Sequence, residues 1–234
     1  MTDTLPAERP AIPLARTFAS DISYEFSPSL AMLSAPTGAT AESIRALRTH
    51  IVAQHIDYGR RALAICAPSA GVGCTFTAAN LAIALSQIGL KTLLVDANLR
   101  QPGVNAFVKP GRPGPGLAQC LDKSDDVWLD CINSDVMPDL SLMYAGETVA
   151  DAQALLAKYR FETLVDFCLR NFDVTLIDTP PANSCADARL VSKVVRYSLI
   201  VARKDRTFVD DVKTLVGQLE ADDVKVIGTV FNQA

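Results

Sequence analysis

"SAGVGCTFTAANLA", residues 69–82, is a glycine-rich turn running straight into an apolar helical pattern. Its immediate predecessor, "ALAIC", is a strand-sized apolar run. A strand, a Gly-rich loop and a helix in that order make an anion site: the loop amides and the helix N-terminus point at a phosphate, and glycine lets the backbone come close. Gly71, Val72, Gly73, Cys74, Thr75 and Phe76 are therefore the candidate nucleotide-binding residues. Thr75 stands where a magnesium-binding hydroxyl belongs. Cys74 stands where a nucleotide-binding loop carries its lysine, so the lysine-Ser/Thr ending of such loops is broken.

Outward from the loop, strands and helices alternate. "KTLLVDA", "LSLMYAG", "DVTLIDTPP", "YSLIVARK" and "KVIGTVFN" read as further strands, most of them near-continuous apolar runs. "FTAANLAIALSQIG", "DAQALLAKYRFETLVDFCLRNF", "ADARLVSKVV" and "TFVDDVKTLVGQLEA" read as helices. That alternation predicts an α/β fold with a doubly wound, mostly parallel sheet. Ligands in such sheets bind beyond the carboxyl ends of the strands. Asp96 and Asp178 each end a predicted strand, and with Thr75 they form a candidate Mg²⁺ set. The simpler alternative is that each carboxylate caps its own turn.

The chain has 234 residues, 49% of them hydrophobic, which suits one domain with a sheet covered on both faces. A net charge of -4 gives no general pull towards nucleic acid or anionic lipid, and no nucleic-acid partner is expected. No run of about 18 apolar residues exists, so no membrane span is expected. The six cysteines form no CxxC pair and fit reduced thiols in a cytoplasmic protein; Cys66 and Cys168 lie in apolar runs as core residues. Residues 1–39, rich in Pro, Ala, Ser and Thr, are expected to be a flexible N-terminal arm, with residues 40–234 forming the domain. The domain's first helix, "TAESIRALRTHIVAQ", is expected to start at Thr40 as its cap, with Glu42 in the first turn.

Read together, "GVGCTFTAANLAIALSQIGLKTLLVDANLRQPGVNAFV", "IDTPPANSCADARLV", "LMYAGET", "RKDRT" and the closing "GTVFN" resemble the bacterial tyrosine autokinases of capsule and exopolysaccharide export. These belong to the deviant-Walker P-loop NTPases, the group of the MinD and ParA proteins. The resemblance covers roughly residues 40–234. It implies ATP or ADP with Mg²⁺ as cofactor, Thr75 as a magnesium ligand, Asp96 as the first acid of the Walker A' motif and Asp178 as the Walker B acid. It also implies that Asn232 faces the adenine base, although a plain strand-end turn would place an Asn there equally well. Glu42, Arg45 and Arg48 match an ExxRxxR motif by which such kinases pack subunit against subunit, so a homo-oligomer is expected. From spacing, Glu42 can pair with Arg45 on its own helix and leave Arg48 for a partner carboxylate.

The departures from the family pattern set the functional expectation. The catalytic lysine is Cys74, and the second Walker A' acid is Asn98, which cannot serve as a general base. The five tyrosines, at 24, 58, 144, 159 and 197, are scattered, and the sequence ends at "FNQA" without the family's tyrosine cluster. A charge-assisted contact to phosphate contributes about 1.5–3 kcal/mol. Its loss predicts nucleotide binding weakened by roughly tenfold to a few hundredfold, or absent. The expected protein is a pseudokinase or regulatory scaffold at the inner face of the plasma membrane. Its partner would be a membrane polysaccharide co-polymerase, a separate chain. Two alternatives stay open: an active tyrosine kinase or ATPase in which Lys204, Lys109 or another basic group replaces the lysine, and a MinD- or ParA-like positioning protein. "KPGRPGPG", with Lys109 and Arg112, is expected to be a solvated loop. Cys74 is not expected to act as a nucleophile, since no base lies near it in the sequence.

Overall fold

The computed structural model describes residues 23–122 and 128–233. Its elements run β1 (Tyr24–Phe26), α1 (Ala31–Ser34), α2 (Ala39–Gln54), β2 (Ala62–Cys66), α3 (Cys74–Ser86), β3 (Thr92–Asp96), β4 (Val108–Pro110), α4 (Leu117–Asp122), β5 (Asn133–Met137), β6 (Leu140–Met143), α5 (Ala152–Leu156), α6 (Tyr159–Asn171), β7 (Val174–Asp178), α7 (Asp187–Val195), β8 (Tyr197–Arg203), α8 (Val209–Ala221) and β9 (Lys225–Asn232). Seven strands form the main sheet in the order β5-β6-β3-β7-β2-β8-β9. All its pairings are parallel except β5 with β6. The doubly wound, mostly parallel sheet expected from the sequence is therefore present.

Strand side chains alternate between two cores, as the pleat requires. Leu63 and Ile65 of β2, Leu94 of β3 and Leu176 of β7 join the core under α2 and α3. Ala64, Val95 and Ile177 join the core under α6, α7 and α8. Burial on both faces explains why these strands read as continuous apolar runs rather than alternating ones.

Four local expectations need correction. Residues 23–38 are part of the packed fold: β1 pairs antiparallel with β4, and Leu30 and Met32 are buried. The expected arm over residues 1–22 lies outside the described residues. Helix α2 starts at Ala39, with Gly38 as its cap; Glu42 N–H donates to the Gly38 carbonyl at 3.0 Å, so Thr40 sits inside the first turn. The single long helix expected after residue 150 is two, α5 and α6, joined through an extended Lys158. Buried Leu156 and Phe161 are five residues apart, which in one continuous helix would put them roughly 140° out of phase. The break lets both face the core. Lys109 lies in β4 rather than in a loop, 3.4 Å from Glu25 on β1.

Candidate functional site: a phosphate loop without its lysine

The site stands at the carboxyl ends of β2, β3, β7 and β8. Gly71 and Gly73 both take left-handed backbone, with φ of 74° and 92°, which costs glycine nothing and any other residue strain. A side chain at Gly73 would collide with the Asn232 amide. Asn232 Nδ2 donates to the Val72 carbonyl at 3.0 Å, and Arg203 Nη1 donates to the Gly71 carbonyl at 3.0 Å. Pinning those two carbonyls outward turns the amides of Val72 and Gly73 the opposite way, because N–H and C=O of a trans peptide point in opposite directions. The result is an amide cradle at the head of α3, beside a cavity of about 260 Å³ lined by residues that include Gly71 to Phe76, Asn98, Gln101 and Phe107. The rings of Phe76 and Phe107 meet edge to face at 6.3 Å.

Thr75, Asp96 and Asp178 do come together. Asp96 and Asp178 are register partners on adjacent parallel strands. Both are buried. Thr75 Oγ1 donates to Asp178 Oδ2 at 2.6 Å, and the buried Asp178 Oδ1 has no hydrogen-bond partner among the described residues. An orphaned carboxylate oxygen under a Thr hydroxyl is a donor set that fits Mg²⁺. Asp96 is committed differently. Its Oδ2 accepts from Gly103 N and Val104 N at 2.8 and 2.9 Å, and its Oδ1 accepts from Asn98 N at 3.1 Å. Three amides stabilise its charge against the burial that pushes its carboxyl upward. Asp178 is pushed up to about 7, first by burial and then by the neighbouring Asp96 carboxylate. Asn98 spends its Oδ1 on Gln101 N at 3.0 Å, within its own loop.

Cys74 is turned away from the cradle. Its Sγ donates to the Ile65 carbonyl at 3.2 Å, at the end of β2. Burial, and then the Asp178 carboxylate, push the thiol well above its usual range. A neutral thiol facing the sheet is neither a phosphate ligand nor a nucleophile. Among the described residues lining the loop cavity there is no lysine or arginine. A larger cavity, about 820 Å³, shares only Asp96 with the predicted site and is walled in part by Pro102, Lys109, Pro113 and Tyr144. The amide cradle, not the volume, marks the chemistry.

Glu42, Arg45 and Arg48 lie elsewhere, on α2. Glu42 and Arg45 do pair, at 3.3 Å, whereas Arg48 Nη1 donates to the Ala84 carbonyl of α3 at 3.3 Å. Three features of the candidate site escaped the sequence reading. Arg203 and Arg206 flank Gly71. Arg100 grips the buried Asp187 with two bonds, at 2.8 and 3.2 Å, tying the loop after β3 to the head of α7. Gly103 leaves no room for a side chain against Thr75. The signal for the arginines was present: "RKDRT" follows a parallel strand whose carboxyl end must face the site.

This fold and amide cradle, with one acid at the end of each of two adjacent strands, define a P-loop NTPase fold of the deviant-Walker kind. Residues 60–201 match the family described as AAA domain. The chain belongs to that family, in its branch of bacterial tyrosine autokinases. The tyrosine-protein kinase Wzc of Salmonella typhi is 28% identical over 197 residues, which is 84% of this chain and 27% of that protein. The chain thus spans about a quarter of the length of such curated relatives. The kinase domain of the Escherichia coli tyrosine kinase ETK superposes with a TM-score of 0.81 at 25% identity, over 89% of this chain and 81% of that one. The septum site-determining protein MinD of Pyrococcus horikoshii, solved with Mg-ADP, shares the fold at a TM-score of 0.62 and 17% identity, over 74% and 70% of the two chains.

Proposed function

We propose that this chain is a degenerate tyrosine-autokinase domain of exopolysaccharide synthesis or export, acting as a pseudokinase or regulatory scaffold for a membrane polysaccharide co-polymerase at the inner face of the plasma membrane. The observation that carries the reading is the orientation of Cys74: the loop keeps its glycines, its amides and Thr75, and the side chain at the lysine position faces the sheet instead of the cradle. Removing a preorganised charge at a transition state costs about 10²–10³ in rate. Asn98, in place of the second acid, removes the general base. Thr75 and Asp178 would still hold Mg²⁺, which would neutralise phosphate charge, and the amides of Val72 and Gly73 would still receive a phosphate. Nucleotide would then act as a weak conformational signal rather than a substrate.

The test is calorimetry with Mg-ATP and Mg-ADP on the wild type and on Cys74→Lys. Binding absent or only millimolar in the wild type, and tightened by about tenfold or more in Cys74→Lys, is the expected result. Micromolar binding in the wild type with no gain from lysine would overturn it.

A further inference from the structure

Arg206 is an exposed cation at the lip of the phosphate loop. Its Nη1 lies 3.3 Å from where a side chain on Gly71 would begin, so the guanidinium rests against the bare loop backbone. The turn that delivers it is built for that reach. Asp205 takes left-handed backbone at φ 59°, Arg206 N–H donates back to the Arg203 carbonyl, and Lys204 N–H is held by the Asn232 carbonyl. The two arginines divide the work. Arg203 spends a donor on the Gly71 carbonyl and fixes the loop. Arg206 is exposed, and its guanidinium makes no hydrogen bond or ion pair among the described residues. The basic groups expected to substitute for lysine are elsewhere or turned to other work: Lys109 is 3.4 Å from Glu25, and Lys204 is exposed on the turn.

We propose that Arg206 replaces the missing lysine, its guanidinium closing the amide cradle over the phosphates of a nucleoside di- or triphosphate. This rests on reading the loop as a phosphate site that lost its lysine. A planar, permanently charged fork suits the task, since it can hold two phosphate oxygens at once. It approaches from the lip at Gly71 rather than from the head of α3, where the lysine of such a loop would stand.

The experiment measures binding of Mg-ADP and of inorganic pyrophosphate to the full chain by calorimetry, for wild type, Arg206→Ala, Arg206→Lys and Lys204→Ala, each also in the Cys74→Lys background. Arg206→Ala is expected to weaken both ligands by about tenfold or more, Arg206→Lys to recover part of the loss, and Lys204→Ala to change either by less than about threefold. Loss of ADP binding with pyrophosphate unchanged would make Arg206 a base contact and overturn the proposal. So would an unchanged Arg206→Ala, a loss confined to Lys204→Ala, or a wild type that binds neither ligand. The Cys74→Lys background separates the two readings. If lysine restores tight binding while Arg206→Ala changes nothing in the wild type, the degenerate-site reading stands and the Arg206 assignment falls. If the wild type already binds at micromolar levels and lysine adds nothing, the degenerate-site reading falls, and Arg206→Ala still reports whether arginine is the cation.

Discussion

Asp178 carries the pH dependence of the site. It is buried beside Asp96; Asp96 has both carboxylate oxygens held by backbone amides, whereas one oxygen of Asp178 has no hydrogen-bond partner among the described residues. The proton therefore stays on Asp178, whose carboxyl is raised to about 7. An unfolded Asp releases its proton near pH 3.9. Between about pH 4 and 7 the native state binds the proton that the unfolded chain has lost, so this group's contribution to stability is full below pH 4 and declines until pH 7. Asp178→Asn removes the decline. In chelator, the urea midpoint of Asp178→Asn relative to wild type is expected to rise from pH 5 to pH 8. An offset that stays constant between those two pH values would mean that Asp178 is ionised throughout. Bound Mg²⁺ acts in the opposite direction by favouring the carboxylate, so adding it at pH 8 should shrink the difference.

At the scale of elements, the phosphate loop is clamped between α3 and β9. Gly73 is the hinge of that clamp: its φ of 92° excludes a side chain on backbone grounds, and Asn232 excludes one on space. Gly73→Ala is expected to cost about 1–3 kcal/mol in urea unfolding. Adding Asn232→Ala should return the steric share and leave the backbone share, so the double mutant should fall short of additivity. Strict additivity would mean that the loop and β9 are not in contact. Much of this clamp was legible in the sequence. The glycine spacing, the acids ending β3 and β7 and the alternation of strands and helices placed the loop, both carboxylates and the parallel sheet. Less legible were features set by long-range geometry. β5 is a short edge strand of mostly polar residues, "NSDVM", with bulged register and Asp135 at φ 56°, so no apolar period announced it. The α5–α6 break is a phase correction that neither Gly nor Pro marks. Arg206 reaches Gly71 across 135 positions of chain, and only the topology brings the two together.

At the scale of the whole molecule, α2 carries one arginine committed to the fold and one exposed charged pair. Arg48 reaches the Ala84 carbonyl in the last turn of α3, one of the acceptors that a helix end leaves without a partner. Glu42 and Arg45 form an i, i+3 pair on the same helix, with side chains 76% and 31% exposed. An exposed pair of this kind contributes under about 1 kcal/mol to folding. Its partial exposure leaves both charges accessible, as the assembly role implied by the ExxRxxR resemblance would require. Glu42→Ala and Arg45→Ala are therefore expected to leave the unfolding midpoint nearly unchanged while shifting the sedimentation-velocity profile of the full chain towards the smaller species. Arg48→Ala should lower the midpoint as well, because a capped carbonyl of α3 loses its donor. Identical sedimentation profiles for wild type and both outer-face variants would remove α2 from any interface and leave Glu42–Arg45 as an ordinary solvated pair. A fall in stability from Arg45→Ala as large as that from Arg48→Ala would show that the helix face is spent on the fold itself.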